Sequence, residues 1–325
     1  MKSISFYQLL LFILTFILFS GCPLNEELEK GQFPLTPVNF EDMNSEYDDY
    51  NSALPYELYN QFPYLFSSNR ASLGNDFNIE NFYVEFYYSP ETNIAYFNAT
   101  DYTPPFYDSA IEKLTTLSNE LGPYLMYNND YLYDILFYAT DSSGNLDIYT
   151  IQYYTYETDW YTPEPLSKIN TIYNEAYPTI NRTIDKMYFC SDLAGFYDLY
   201  YVEITGSSLI NWLETEDLPI WNACDILNSS SNDKCPYIIG NIMVFTSDRD
   251  GGYGGYDLYY SELVDGNWTE PINFGEEINS EYDEYRPVIM YAFNYLTDLM
   301  FFSSNRPGGL GGYDLYYVGI PKIKF

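Results

Sequence analysis

The sequence predicts an all-β fold: a five-bladed β-propeller of four-stranded antiparallel blades, its ring closed by the N-terminal strand joining the last blade. Three observations predict it. A pair of strand-like runs recurs five times along the chain. The copies are spaced at roughly 50–60 residues, the period of a propeller array. The strand missing from the last copy is found at the other end of the chain.

The last copy is the clearest, with Met300-Phe301-Phe302-Ser303-Ser304-Asn305-Arg306, a Gly-rich link, then Tyr313-Asp314-Leu315-Tyr316-Tyr317. The copy before it runs Met243 to Arg249 and Tyr256 to Tyr260, and weaker copies span 187–201, 135–149 and 64–83. Each copy divides into strands A to D. Strand A follows an acidic residue and carries a Pro (Pro123, Pro178, Pro236, Pro287). Strand B is the Met-x-Phe-x-Ser run and strand C the Tyr-Asp-Leu-Tyr-Tyr run. Their alternation of apolar and polar positions predicts two different faces. Strand D carries an aromatic and a Pro, which suits an outer edge. Trp160, Trp212 and Trp268 fall in this stretch. Gly251, Gly252, Gly254, Gly255 and Gly308, Gly309, Gly311, Gly312 join B to C and supply positive φ. Leu35–Asp48 matches Thr269–Asp283, so it supplies the missing strand D and removes an open sheet edge. The blades are then 45–105 (with a short helix at Ser109–Leu117 inserted after it), 106–166, 167–218, 219–275, and 276–325 completed by 33–44.

Before the propeller, Lys2 precedes an apolar stretch from Ile4 to Phe19 that is short for a membrane span. Residues 1–21 read as a signal peptide and 22–32 as a polar tether. Ser20-Gly21-Cys22 resembles the lipobox of bacterial lipoproteins, with Phe19 where Leu is usual. That resemblance implies lipidation of Cys22 and a membrane anchor, with the outer membrane as the expected site because Pro23 is not Asp.

The 325 residues carry 13 basic and 47 acidic side chains, a net charge of −34, so nucleic acid and anionic lipid are excluded as partners. The chain has no His, which removes Ser-His-Asp and Cys-His catalysis and His-ligated zinc. It has 40 Tyr, a residue suited to half-buried strands and to binding surfaces. Cys224 and Cys235 flank a polar loop and are the expected disulfide; Cys190 stands in strand B where sister copies have Ser or Thr, and reads as a buried thiol.

Phe302–Gly309 followed by Gly-Gly-Tyr-Asp-Leu-Tyr-Tyr resembles the TolB-type, WD40-like propeller repeat of bacterial envelope lipoproteins. The resemblance implies a periplasmic or surface-exposed, non-enzymatic binding module, and an envelope protein as its partner.

Asp49, Glu120, Glu175, Asp233 and Glu284 begin strand A in the five copies, Asp49 with a three-residue insertion before Pro55. On the innermost strand they predict a carboxylate ring near one mouth of the tunnel. Three roles fit: anchors for backbone amides, a Ca2+ site, or the acid–base pair of a glycosidase. Recurrence in every blade favours the first. Arg70, Arg249 and Arg306 follow strand B and are placed to pair with the ring; Ser142 and Leu193 replace them in the second and third blades. Asp147, Asp198, Asp257 and Asp314 of strand C are expected to tie blades through backbone amides.

The functional expectation is a lipid-anchored, non-enzymatic protein-interaction scaffold of the bacterial envelope, with no cofactor or at most Ca2+. The alternatives are a carbohydrate-binding or glycoside-hydrolysing propeller using tunnel carboxylates, or a Ca2+-stabilised adhesion module.

Overall fold

The computed structural model describes residues 31–323 except 90, 93, 101–104 and 127–132. The signal peptide, Cys22 and the tether up to residue 30 lie outside the described residues.

Five antiparallel sheets form the blades. Blade 1 is Asp49–Ala53, Gln61–Ser68, Asn78–Ser89 and Ile94–Thr100. Blade 2 is Glu120–Met126, Tyr133–Thr140, Asp147–Tyr154 and Glu164–Pro165. Blade 3 is Glu175–Ile180, Lys186–Ser191, Asp198–Glu203 and Asn222–Ala223. Blade 4 is Asp233–Ile239, Ile242–Ser247, Asp257–Val264 and Ile272–Asn273, with Asn267–Trp268 pairing further along its third strand. Blade 5 is Glu284–Met290, Thr297–Ser304 and Asp314–Pro321, completed by Val38–Asn39 from the N-terminal end, with Val38 opposite Tyr317. The five A strands neighbour one another in a closed ring.

Closure is built around Phe40. Its ring is 2 % exposed and meets Tyr64 and Phe97 of blade 1 and Phe301 and Tyr317 of blade 5 at centroid distances of 5.6–6.2 Å. Strand B is buried along almost its whole length rather than on alternate residues, because each blade is covered on both faces by its neighbours. Packing therefore overrides the two-faced pattern read from sequence.

Strand A carries the same irregularity in all five blades: a register shift after its second residue. The third residue takes a left-handed conformation whatever its type: Asn51, Gly122, Tyr177, Cys235 and Arg286 have φ between 51° and 63°. Ser52 stands in blade 1 where the other blades have Pro, so Asp49 aligns without an insertion. The bulge turns the third amide outward to the preceding blade. Asn51, Gly122 and Arg286 donate it to the hydroxyls of Ser303, Ser67 and Thr246. Cys190 holds the equivalent place in blade 3 and Ala139 in blade 2, so the hydroxyl is present in three of the five blades.

The expected Cys224–Cys235 disulfide is absent; both are buried free thiols. Cys224 follows the outermost strand of blade 3 and Cys235 lies on the innermost strand of blade 4, so the loop between them crosses the width of a blade. Burial pushes the Cys224 thiol up to about 12 and Cys235 up to about 11. The inserted helix spans Pro105–Leu114 rather than 109–117. Trp212 lies in a second helix, Leu209–Glu214, capped by Ser208 Oγ accepting from the Asn211 amide, and not in strand D.

Candidate functional site

The site is built where the A strands begin. The predicted ring, Asp49, Glu120, Glu175, Asp233 and Glu284, is present, but every member is 0 % exposed. These carboxylates sit behind the mouth rather than in it. Asp49, Glu175, Asp233 and Glu284 each accept the amide of the residue four positions earlier: Ser45, Thr171, Ser229 and Ser280. Strand B adds a hydroxyl from Ser68, Ser191 or Ser304. Arg70, Arg249 and Arg306 pair with Asp49, Asp233 and Glu284 at 2.7, 2.5 and 2.7 Å. A carboxylate so saturated with donors is an anchor for the turn before it. Among the described residues no three acidic or thiol side chains converge as metal ligands.

The strand C aspartates tie their own B–C link rather than neighbouring blades. Asp257 accepts the Tyr253 and Gly254 amides, and Asp314 those of Leu310 and Gly311. Asp147 accepts from Ser143 Oγ and Asn145 Nδ2. Asp198 departs from this: its Oδ1 is buried with no hydrogen-bond partner, and burial raises its carboxyl to about 6. Gly254 and Gly311 are required by space rather than by φ; a Cβ there would lie 2.0 Å from Tyr282 O and 1.8 Å from Tyr47 O of the next turn.

The carboxylates half-exposed at the mouth are Asp48 and Asp283, one residue before the predicted ring, and Asp141, Asp192 and Asp248, one residue after strand B. Each pairs with an amide side chain across its blade, and the order is interchangeable. Asn119, Asn174 and Asn232 precede strand A and bond Asp141, Asp192 and Asp248 after strand B. In blades 1 and 5 the pairs are reversed, Asp48 with Asn69 and Asp283 with Asn305. The residue before strand A also accepts a backbone amide from the preceding blade: Phe77, Leu146, Tyr197, Tyr256 or Tyr313. Asn69→Asp will set two carboxylates face to face and cost about 2 kcal/mol. Adding Asp48→Asn will restore stability to near wild type; urea unfolding of the single and double variants measures both.

Those same preceding-blade residues carry rings over the mouth. Phe77, Tyr197, Tyr256 and Tyr313 are half-buried, and Tyr50 packs on Phe77 at 4.8 Å and Tyr313 at 5.8 Å. Lys234 Nζ lies 4.1 Å from the Tyr197 ring centroid and 5.5 Å from that of Tyr256. One layer down, the Tyr177 ring occupies the space a Cβ on Gly122 would need. Arg286, fully buried, reaches across to Pro123 O of blade 2 and Pro236 O of blade 4. The tunnel is therefore floored, and its mouth is an aromatic bowl rimmed by carboxylate–amide pairs.

The rim is not five-fold symmetric in charge. Glu120 has no Arg, its Oε1 is held by Thr116 Oγ1, and its Oε2 is buried without a hydrogen-bond partner. Burial, reinforced by Asp141 and Asp76, pushes its carboxyl up to about 7. Of the two blades without the Arg, blade 2 carries the asymmetry, at Glu120. The mouth rings were missed, although an aromatic precedes the strand C position in four of five copies. The three tryptophans pack rather than bind: Trp160 and Trp212 are 2 % exposed, and Trp268 leans on Tyr188.

No family model and no curated protein matches the chain. Solved structures do. The chain is similar to an α-L-arabinofuranosidase from Podospora anserina in complex with cellotriose (12 % identity, 91 % of this chain and 99 % of that one, TM-score 0.51). It is similar to the catalytic domain of a GH62 α-L-arabinofuranosidase from Coprinopsis cinerea (13 %, 89 % and 96 %, TM-score 0.51). It is also similar to a thermostable family-43 glycoside hydrolase (12 %, 89 % and 96 %, TM-score 0.53). What they share with this chain is the fold. Two expectations are corrected by this finding. The TolB-type, WD40-like resemblance gives way, because these matching structures are glycoside hydrolases. The non-enzymatic scaffold gives way with it, since the propeller they share carries enzymes. The short repeat motif misled because its residues hold the turns and links of their own blade, as Ser304, Asn305, Arg306 and Asp314 do in blade 5.

Proposed function

We propose that the protein is a carbohydrate-active propeller that takes a glycan across the aromatic bowl and hydrolyses a glycosidic bond there. The observation that carries this reading is the bowl itself. Rings of Tyr50, Phe77, Tyr197, Tyr256 and Tyr313 offer faces to the C–H side of a sugar, and the rim of carboxylate–amide pairs with Lys234 offers partners for its hydroxyls. The glycoside hydrolases of the same fold support it by analogy.

Glycoside hydrolysis needs one carboxyl that still holds a proton and one that does not. Glu120, raised to about 7, is the proton holder. Asp141, half-exposed at the rim and bonded by Asn119, is the second carboxyl group of the same blade. Glu120 is covered by the segment 115–119, where Thr116 Oγ1 donates to it and Leu117 is 94 % exposed, and the proposal requires that segment to move aside for a substrate. In our proposal the lipid anchor at Cys22 holds this activity at the cell envelope.

The test is release of sugar from neutral arabino-, xylo- and galacto-oligosaccharides by the purified chain. Glu120→Gln and Asp141→Asn should each lower kcat at least 100-fold, and Tyr256→Ala should raise KM about tenfold. A wild-type protein that cleaves none of these glycans, or a Glu120→Gln variant of full activity, sinks the proposal.

A further inference from the structure

A second aromatic surface lies away from the bowl, on the outer flank between blades 2 and 3. Strand C of blade 2 ends there in Gln152 and Tyr154, the loop after it adds Tyr156 and Tyr161, and Glu164 of strand D and Glu214 of the helix Leu209–Glu214 face in from either side. Together they border a cavity of about 660 Å³ open to solvent.

The rings are arranged as two walls. Tyr154 and Tyr156 lie 5.5 Å apart at 35°, and Tyr161 stands edge-on to Tyr154 at 5.5 Å and 87°. Tyr156 is 70 % and Tyr161 47 % exposed, so neither serves the core. The hydroxyl of Tyr154 donates to Gln152 Oε1 at 3.1 Å, which holds that amide at the base of the wall. Glu164 and Glu214 are exposed and make no ion pair among the described residues.

We infer that this flank is a second glycan-binding site, for a neutral oligosaccharide. Sugars present an apolar C–H face and a hydroxyl edge. Perpendicular rings flanked by carboxylates meet both: rings stack on the face, and each carboxylate accepts from hydroxyls at the edge. The sign of charge selects among glycans. Two carboxylates on a chain of net charge −34 repel uronic acids and sulfated sugars, while a neutral chain incurs no such penalty. The inference rests on the glycan reading of the bowl and adds where a longer chain is held.

The experiment is titration calorimetry of the whole protein with xylotriose, cellotriose and galactotriose. One variant blocks the bowl (Tyr256→Ala with Lys234→Gln), a second removes the flank rings (Tyr156→Ala with Tyr161→Ala), and a third combines them. Glu164→Gln with Glu214→Gln serves as a milder flank variant that keeps the rings. Melting temperatures of the flank variants should stay at the wild-type value, since the replaced side chains are exposed. With the bowl blocked, at least one trisaccharide should still bind, and removing the two flank tyrosines should weaken that binding at least tenfold. Binding that vanishes when the bowl alone is blocked overturns the flank site and leaves the proposed function standing. Binding at the flank without any sugar release keeps the flank site and overturns hydrolysis.

Discussion

Phe40→Ala is expected to cost the protein about 4 kcal/mol, more than any exposed substitution, and to lower its melting temperature by roughly 10 °C. The reason is position as much as size. Phe40 directly follows the N-terminal strand that completes blade 5, yet half of its ring contacts are with blade 1. Truncating it opens a cavity where blade 5 meets blade 1, beside the one junction of blade 5 that hydrogen bonds and packing alone hold, between Val38–Asn39 and Asp314–Pro321. The segment around it is anchored by Phe33 and Met43, both fully buried, and by Asn44, which bonds Leu315 through both its oxygen and its amide. A ring that opens at this seam exposes two blade faces at once. Thermal and urea unfolding of Phe40→Ala, beside Phe274→Ala as the equivalent position inside the chain, measures the effect. Equal losses at both positions would show that closure carries no special weight.

Glu120→Gln is the second large effect, and its sign depends on pH. The folded protein raises this carboxyl from the ordinary glutamate range to about 7, mainly through burial. Between those two values the folded state holds a proton that the unfolded state has released. The stability contributed by Glu120 is therefore fully present below the ordinary glutamate range and is lost as pH rises through about 7. The loss is about 2 kcal/mol, allowing for screening by water near the half-exposed Asp141. Gln cannot ionise, so the variant should match the wild type near pH 4 and exceed its stability at pH 8. Its activity should be lost at every pH. A variant whose stability difference does not change between those pH values would remove Glu120 as a proton-holding group.

Much of this architecture is legible in the sequence, for a physical reason. A repeated unit must satisfy the same backbone hydrogen bonds in every blade, so it repeats the residues that do so. Ser68-Asn69-Arg70 and Ser304-Asn305-Arg306 are alike because each hydroxyl, amide and guanidinium meets the same turn. The match between the segment before Asp48 and that before Asp283 reveals the closing strand in the same way.

The position of the mouth is not legible to the residue. In a strand a shift of one residue changes the face, and the bulge in strand A changes it again. Asn, Gly, Tyr, Cys and Arg occupy the bulged position, so composition does not announce it. The predicted carboxylates turn inward between blades, while Asp48 and Asp283 before strand A and Asp141, Asp192 and Asp248 after strand B reach the rim. The disulfide failed for a related reason: eleven residues of sequence separation between Cys224 and Cys235 conceal the full width of a blade.

The sequence by itself determined the number of blades, their order and the closure of the ring, because these follow from local pattern and repetition. Only the tertiary structure decided which side chains face the bowl, that Tyr177 and Arg286 floor it, and that Glu120 alone among the five strand A carboxylates keeps an unpartnered oxygen. Those properties depend on what neighbouring blades bring to the same point, and no single repeat contains that information.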